Sequence, residues 1–92
     1  MKFEWDESKA KSNYKKHGVS FEDAASTFSD EQALLIDDPD HSTSEERFIL
    51  LGMSSTGRIL TVCHCYRESK ELVRIISARK ATKKEKYFYE EG

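Results

Sequence analysis

Arg58-Ile59-Leu60-Thr61-Val62-Cys63-His64-Cys65-Tyr66-Arg67 and, after a four-residue gap, Leu72-Val73-Arg74-Ile75-Ile76-Ser77-Ala78-Arg79 are the two stretches that decide the fold. Both are rich in β-branched and apolar residues and end in polar turn formers, so both read as strands. The gap, Glu68-Ser69-Lys70-Glu71, is too short for a crossover, and the strands must pair as an antiparallel hairpin. The first is apolar on both faces, which predicts a central place in a sheet. Ser55-Thr56-Gly57 is a second hairpin turn, leading back to a strand over residues 47–54, and residues 32–37 form another short apolar run. Between these lies Asp38-Pro39-Asp40-His41-Ser42-Thr43-Ser44, a loop by composition with the only proline of the chain.

Helices flank this meander. Asp6 caps a first helix over residues 6–18, which has Glu7 at its start, lysines near its end and Gly18 to stop it. Ser20-Phe21-Glu22-Asp23 resembles a capping box, with Val19 and Ala24 placed as a hydrophobic staple. Phe21, Ala24, Ala25 and Phe28 then recur at helical period. Thr82 caps a third helix over residues 82–91, with Glu85 three residues on and Tyr87, Phe88 and Tyr89 expected to dock it. Residues 1–5 alternate in the manner of an edge strand. The expected architecture is α+β: two N-terminal helices packed on an antiparallel sheet of about four strands, with a C-terminal helix, in one domain over 1–92.

Composition narrows the function. No apolar run approaches the roughly 20 residues of a membrane span, and the charged N-terminus lacks the apolar stretch of a signal peptide, so a cytoplasmic protein is expected. Cys63 and Cys65 lie about 6.5–7 Å apart on one strand face, which suits neither a disulfide nor a zinc site; reduced thiols follow. No metal site and no cofactor are expected. The acidic residues Asp37, Asp38 and Asp40 read as a solvated loop. The net charge of −2 conceals an asymmetry: residues 1–57 carry 6 basic and 12 acidic side chains, residues 58–92 carry 9 and 5. Residues 67–86 hold 8 basic against 3 acidic, a concentration that suits a polyanion or a solvated surface equally well.

Metal-free cleavage of RNA needs a base for the 2′-hydroxyl proton, cations for the charge developing on phosphate, and an acid for the leaving oxygen. Either of His64 and Glu68 can act as base or acid, and Arg67 and Arg79 can clamp the phosphate. The alternative is that the strand Arg and His residues make sheet salt bridges and Glu68 beside Arg67 is an ordinary surface pair. Arg74, Lys80, Lys83 and Tyr66 are candidate RNA contacts, Tyr66 by stacking. If Arg67 opposes Leu72, an unbroken ladder sets Tyr66 against Val73, His64 against Ile75, Val62 against Ser77 and Leu60 against Arg79. His64, Tyr66, Ser77 and Arg79 then share one face, while Arg67 and Arg74 occupy the other unless a bulge intervenes. His17, Phe3 and Trp5 read as structural residues, and His41, in a loop, carries no signal.

Five segments in order, Phe3-Glu4-Trp5-Asp6, Lys16-His17-Gly18-Val19-Ser20-Phe21, Glu45-Glu46-Arg47, Gly57-Arg58-Ile59-Leu60 and Arg74-Ile75-Ile76-Ser77-Ala78-Arg79-Lys80-Ala81-Thr82, resemble the BrnT family of type II toxin–antitoxin systems. The resemblance runs over nearly the whole chain. It implies a RelE-like fold, a ribonuclease that stops translation, and a BrnA-like ribbon-helix-helix antitoxin as partner. Operator DNA is then reached only through the complex with that antitoxin, and a homodimer or a toxin–antitoxin heterotetramer or larger assembly is implied. It carries functional roles onto Arg67, Glu68 and Arg79, and adds His64 to the same site. An RNA- or antitoxin-binding module of the same fold that does not cut is the alternative.

Overall fold

The computed structural model of the chain describes residues 1–37, 46–67 and 71–92. The elements run β1 (Lys2–Glu4), α1 (Glu7–His17), α2 (Phe21–Ser26) with a 3₁₀ turn over Thr27–Ser29, β2 (Leu34–Asp37), β3 (Phe48–Met53), β4 (Ile59–Arg67), β5 (Leu72–Lys80) and α3 (Lys83–Glu91). Most of the expected acidic loop and the turn between residues 67 and 71, Glu68 included, lie outside the described residues.

The α+β class holds, and two details of the expected architecture are corrected. The sheet has five strands in the order β1-β5-β4-β3-β2 and is mixed, because β1 joins β5 in parallel (Lys2 opposite Leu72, Glu4 opposite Arg74). Three residues at one end of a chain carry no signal of a parallel partner 70 residues away. Of the expected pair of N-terminal helices only α1 is full length; α2 is six residues that tighten into the 3₁₀ turn.

The ends of α1 follow from its sequence. Asp6 accepts a hydrogen bond from the Lys9 N–H at 3.1 Å, and Gly18, at φ 69°, closes the other end with its N–H on the Tyr14 carbonyl. Ser20 caps α2 through the Asp23 N–H. These turns deliver Val19, Phe21 and Ala24 onto one face of the sheet, where Leu50, Leu60, Val62, Val73, Ile75 and Ala78 complete the core. Phe3, Trp5, Ala25 and Phe28 pack around it, with Trp5 edge-on to Phe21 and Phe3 edge-on to Phe28.

One polar residue joins α1 to the sheet. β1 spans only Leu72–Arg74 of its neighbour, so among the described residues that edge of β5 has no strand beside it beyond Arg74. Buried Asn13 takes the place of a strand residue there. Its Oδ1 accepts from the Ala78 N–H at 3.1 Å, and its Nδ2 donates to the Ala78 carbonyl at 2.8 Å and the Val19 carbonyl at 3.0 Å. An asparagine amide carries the donor and acceptor of a peptide group, which is why it satisfies an edge that an apolar residue would leave unpaired.

Candidate nucleic-acid interface

The β4–β5 ladder begins in the expected register: Arg67 opposes Leu72, Tyr66 opposes Val73, Cys65 opposes Arg74 and His64 opposes Ile75. Between Cys63 and His64 it then shifts by one residue, so that Cys63 opposes Ser77, Val62 opposes Ala78 and Thr61 opposes Arg79. Ile76 is the extra residue of a β-bulge. Beyond it every side chain of β5 changes faces relative to an unbroken ladder. Ala78 turns into the core, and Ser77 and Arg79 turn out of it.

The bulge therefore reverses the expected grouping. Arg67, Arg74 and Arg79 share the face opposite α1 and α2, together with Thr61, Cys63, Cys65 and Ser77. His64 and Tyr66 lie on the helix-covered face. His64 has no exposed surface and is enclosed by Phe28, Phe48 and Tyr66. Its Nδ1 is 3.3 Å from the Val62 carbonyl, which can only accept, so Nδ1 carries the proton and Nε2 accepts from the Tyr66 hydroxyl at 3.4 Å. Burial lowers the His64 pKa below its ordinary value and keeps the ring neutral. A neutral, enclosed histidine on the far side of the sheet from Arg67 has no path to a substrate held by the arginines. Tyr66 is the half-buried rim of the same aromatic cluster and is not placed to stack a base beside Arg67.

At one end of the arginine face, Arg74 Nη1 and Arg67 Nε meet on a single oxygen of Glu4, at 2.9 and 3.4 Å. Arg67 is half exposed. At the other end Arg79 makes a paired contact with Glu85 of α3, Nη1 to Oε1 at 2.7 Å and Nη2 to Oε2 at 3.0 Å. Glu85 Oε1 also accepts from the Thr61 hydroxyl and the Thr82 N–H, both at 2.9 Å. These donors hold the Glu85 carboxyl down at about 2, the Arg79 guanidinium foremost. Arg79 is opposite Thr61, six residues along β4 from Arg67, so the two ends stand roughly 20 Å apart. The structure brings Arg67 and Arg74 together and sets Arg79 apart from them. Lys80 ends β5 opposite Leu60, on the other face from Arg79, and Lys83 opens α3; both are exposed. Glu68 lies outside the described residues.

Glu4 and Thr61 were not singled out by the sequence, and Glu85 was read only as a helix cap. Thr82 and Glu85 do form that capping box. Docking of α3 differs from expectation: Tyr87 and Phe88 are exposed, and the helix is held by Glu85 and by the Tyr89 hydroxyl on Asp30. Residues 85 and 89 lie one turn apart on the same side of the helix, and Tyr87, two residues from each, projects from the other side. Among the described residues no cluster of three or more His, Cys, Asp or Glu side chains could hold a metal ion, and no helix is long and apolar enough to cross a membrane.

Fold and surface together define a small α+β domain with one sheet face sealed by helices and the other lined with arginines. The family model for BrnT, the ribonuclease toxin of type II toxin–antitoxin systems, matches residues 5–85, and the chain belongs to that family. Membership implies an RNA substrate and an antitoxin partner. The 1.1 Å crystal structure of the Brucella abortus ribonuclease toxin BrnT is similar to this chain at 26% identity and a TM-score of 0.67, over 90% of this chain and 99% of that one. Among curated proteins no sequence matches.

Proposed function

We propose that this chain is a metal-independent endoribonuclease of RelE-like fold, a single domain over residues 1–92, that cuts RNA on the arginine face and thereby arrests translation and growth in the cytoplasm. The observation that carries the reading is the bulge at Ile76, which gathers Arg67, Arg74 and Arg79 on the sheet face opposite α1 and α2. Arg67 and Arg74 converge on one carboxylate oxygen, so a phosphate oxygen in that position would meet two guanidiniums. There they stabilise the charge that grows as the 2′-oxygen attacks phosphorus and the 5′-oxygen leaves. Glu68, adjacent to Arg67 in the chain, takes the 2′-hydroxyl proton and passes it to the leaving 5′-oxygen, and His64 is withdrawn from that role by its burial. Arg79, with Lys83, holds a phosphate further along the same strand of RNA, because about 20 Å separates it from Arg67. The products are 2′,3′-cyclic phosphates.

The proposed protein partner is a BrnA-like ribbon-helix-helix antitoxin that neutralises the toxin and carries it to operator DNA. The deciding experiment induces the chain in a bacterial host beside Arg67→Ala and Glu68→Ala, following growth and total RNA. Arrest with RNA loss in the parent, abolished in folded variants, supports cleavage. Arrest that persists in both variants, or a soluble parent that neither cuts RNA nor slows growth, rejects it in favour of a module that binds RNA or antitoxin without cutting.

A further inference from the structure

Glu85 is better supplied with donors than a helix cap requires. A glutamate at the third position of α3 needs only the Thr82 N–H to close the capping box. Here its two oxygens receive four hydrogen bonds: both outer nitrogens of Arg79, the Thr61 hydroxyl and the Thr82 N–H. A guanidinium fork, a hydroxyl and a backbone N–H at a helix N-terminus are together the donor set that proteins use to hold phosphate. Thr61 is 5% exposed and opposes Arg79 across the ladder, so two of the three groups of the cradle stand on paired strands. The low Glu85 pKa is the electrostatic expression of the same site: it selects an anion.

The helix that inserts this carboxylate is lightly held. None of its residues is buried, Tyr87 and Phe88 face outward, and its distal anchor is the Tyr89 hydroxyl on Asp30.

We infer that Arg79, Thr61 and the Thr82 N–H form a phosphate subsite that Glu85 fills from within the chain, so that RNA binds this end of the face in competition with the protein's own carboxylate. The inference rests on the RNA-cleaving reading above and specifies one of its contacts. The subsite takes a backbone phosphate of single-stranded RNA, about 20 Å along the sheet from the Arg67–Arg74 pair. Glu85 thus weakens binding, and its removal strengthens it.

The test is Glu85→Gln, which keeps a capping amide while removing the charge. Binding of a fluorescein-labelled 2′-O-methyl oligoribonucleotide, which has no attacking hydroxyl, is followed by anisotropy over a range of salt. The variant should bind about fivefold tighter, the scale of one partly exposed ion pair. Its salt dependence should steepen by about 0.7, one further phosphate contact on a single strand. Adding Arg79→Ala or Thr61→Val to Glu85→Gln should remove the gain. If the parent binds and weakens on Arg67→Ala while Glu85→Gln changes neither affinity nor slope, the subsite is overturned and the ribonuclease reading stands. If neither the parent nor Glu85→Gln binds, both fall.

Discussion

The two faces of this sheet are built from the same strands and make opposite demands on them. On the covered face polar groups survive only with every partner supplied: His64 sits between the Val62 carbonyl and the Tyr66 hydroxyl, and Asn13 answers both backbone groups of Ala78. On the other face charge is kept near solvent, and each arginine meets a carboxylate delivered by a terminal element, Glu4 from β1 or Glu85 from α3. One residue, Ile76, decides which face Arg79 joins. The difference teaches that charge in the sequence is not yet a surface: the C-terminal basic stretch becomes one only after a bulge has sorted it.

The sharpest way to break this division is to compare Arg67→Ala with His64→Leu. Removing a cation that steadies a developing phosphate charge should lower RNA cleavage by about 100-fold or more. Because Arg67 is half exposed, its thermal midpoint should barely move. His64→Leu should do the reverse, keeping cleavage per folded molecule near that of the parent. Loss of cleavage in a folded His64→Leu protein would end the claim that the covered face takes no part in chemistry.

Much of this was legible beforehand, for reasons that lie in particular residues. Asp6 and Gly18 bracket α1, Ser20 and Thr82 announce their helices, and the short gap after Arg67 forces the hairpin. The first four ladder pairs follow from that turn alone. The bulge does not, because Ile75-Ile76 reads as uninterrupted strand and a one-residue slip has no compositional mark. Hence Arg79 was expected beside His64, and the two lie on opposite faces. The parallel β1–β5 pair was hidden too, and with it Glu4 beside Arg67 and Arg74. The aromatic run Tyr87-Phe88-Tyr89 promised an apolar dock, where the helix in fact uses a carboxylate and a phenol.

A smaller effect sharpens the covered side. Asn13→Ala leaves the Ala78 N–H, the Ala78 carbonyl and the Val19 carbonyl without their partner at a buried edge. The expected loss is about 2–3 kcal/mol, read as a lowered urea midpoint with unchanged slope. Asn13→Asp should be no milder, since it restores an acceptor where two carbonyls need donors and places a charge among buried groups. A variant as stable as the parent would show that water or a shifted strand replaces the amide.

The smallest expected effect is a dependence of stability on pH that belongs to one side chain. Burial lowers the pKa of His64 below the 6.5 of an exposed imidazole, so on acidification the unfolded chain takes up this proton before the folded one does. Stability should therefore be undiminished by this group above pH 6.5 and fall below it. The slope approaches but does not exceed about 1.4 kcal/mol per pH unit, until the pH reaches the folded value. Asp23, Asp30 and Glu85 also have lowered values, and Glu85 falls from 4.5 to about 2. Their contributions are present at neutral pH and drain away in a more acidic window, below the ordinary carboxylate range. Urea midpoints at pH 7.5, 6.5, 5.5 and 3.5 separate the two groups. The decline between 6.5 and 5.5 should be shallower in His64→Leu than in the parent, while the more acidic loss persists. An equal decline in both proteins would mean that the His64 ring admits a proton without unfolding, which the enclosure by Phe28, Phe48 and Tyr66 forbids.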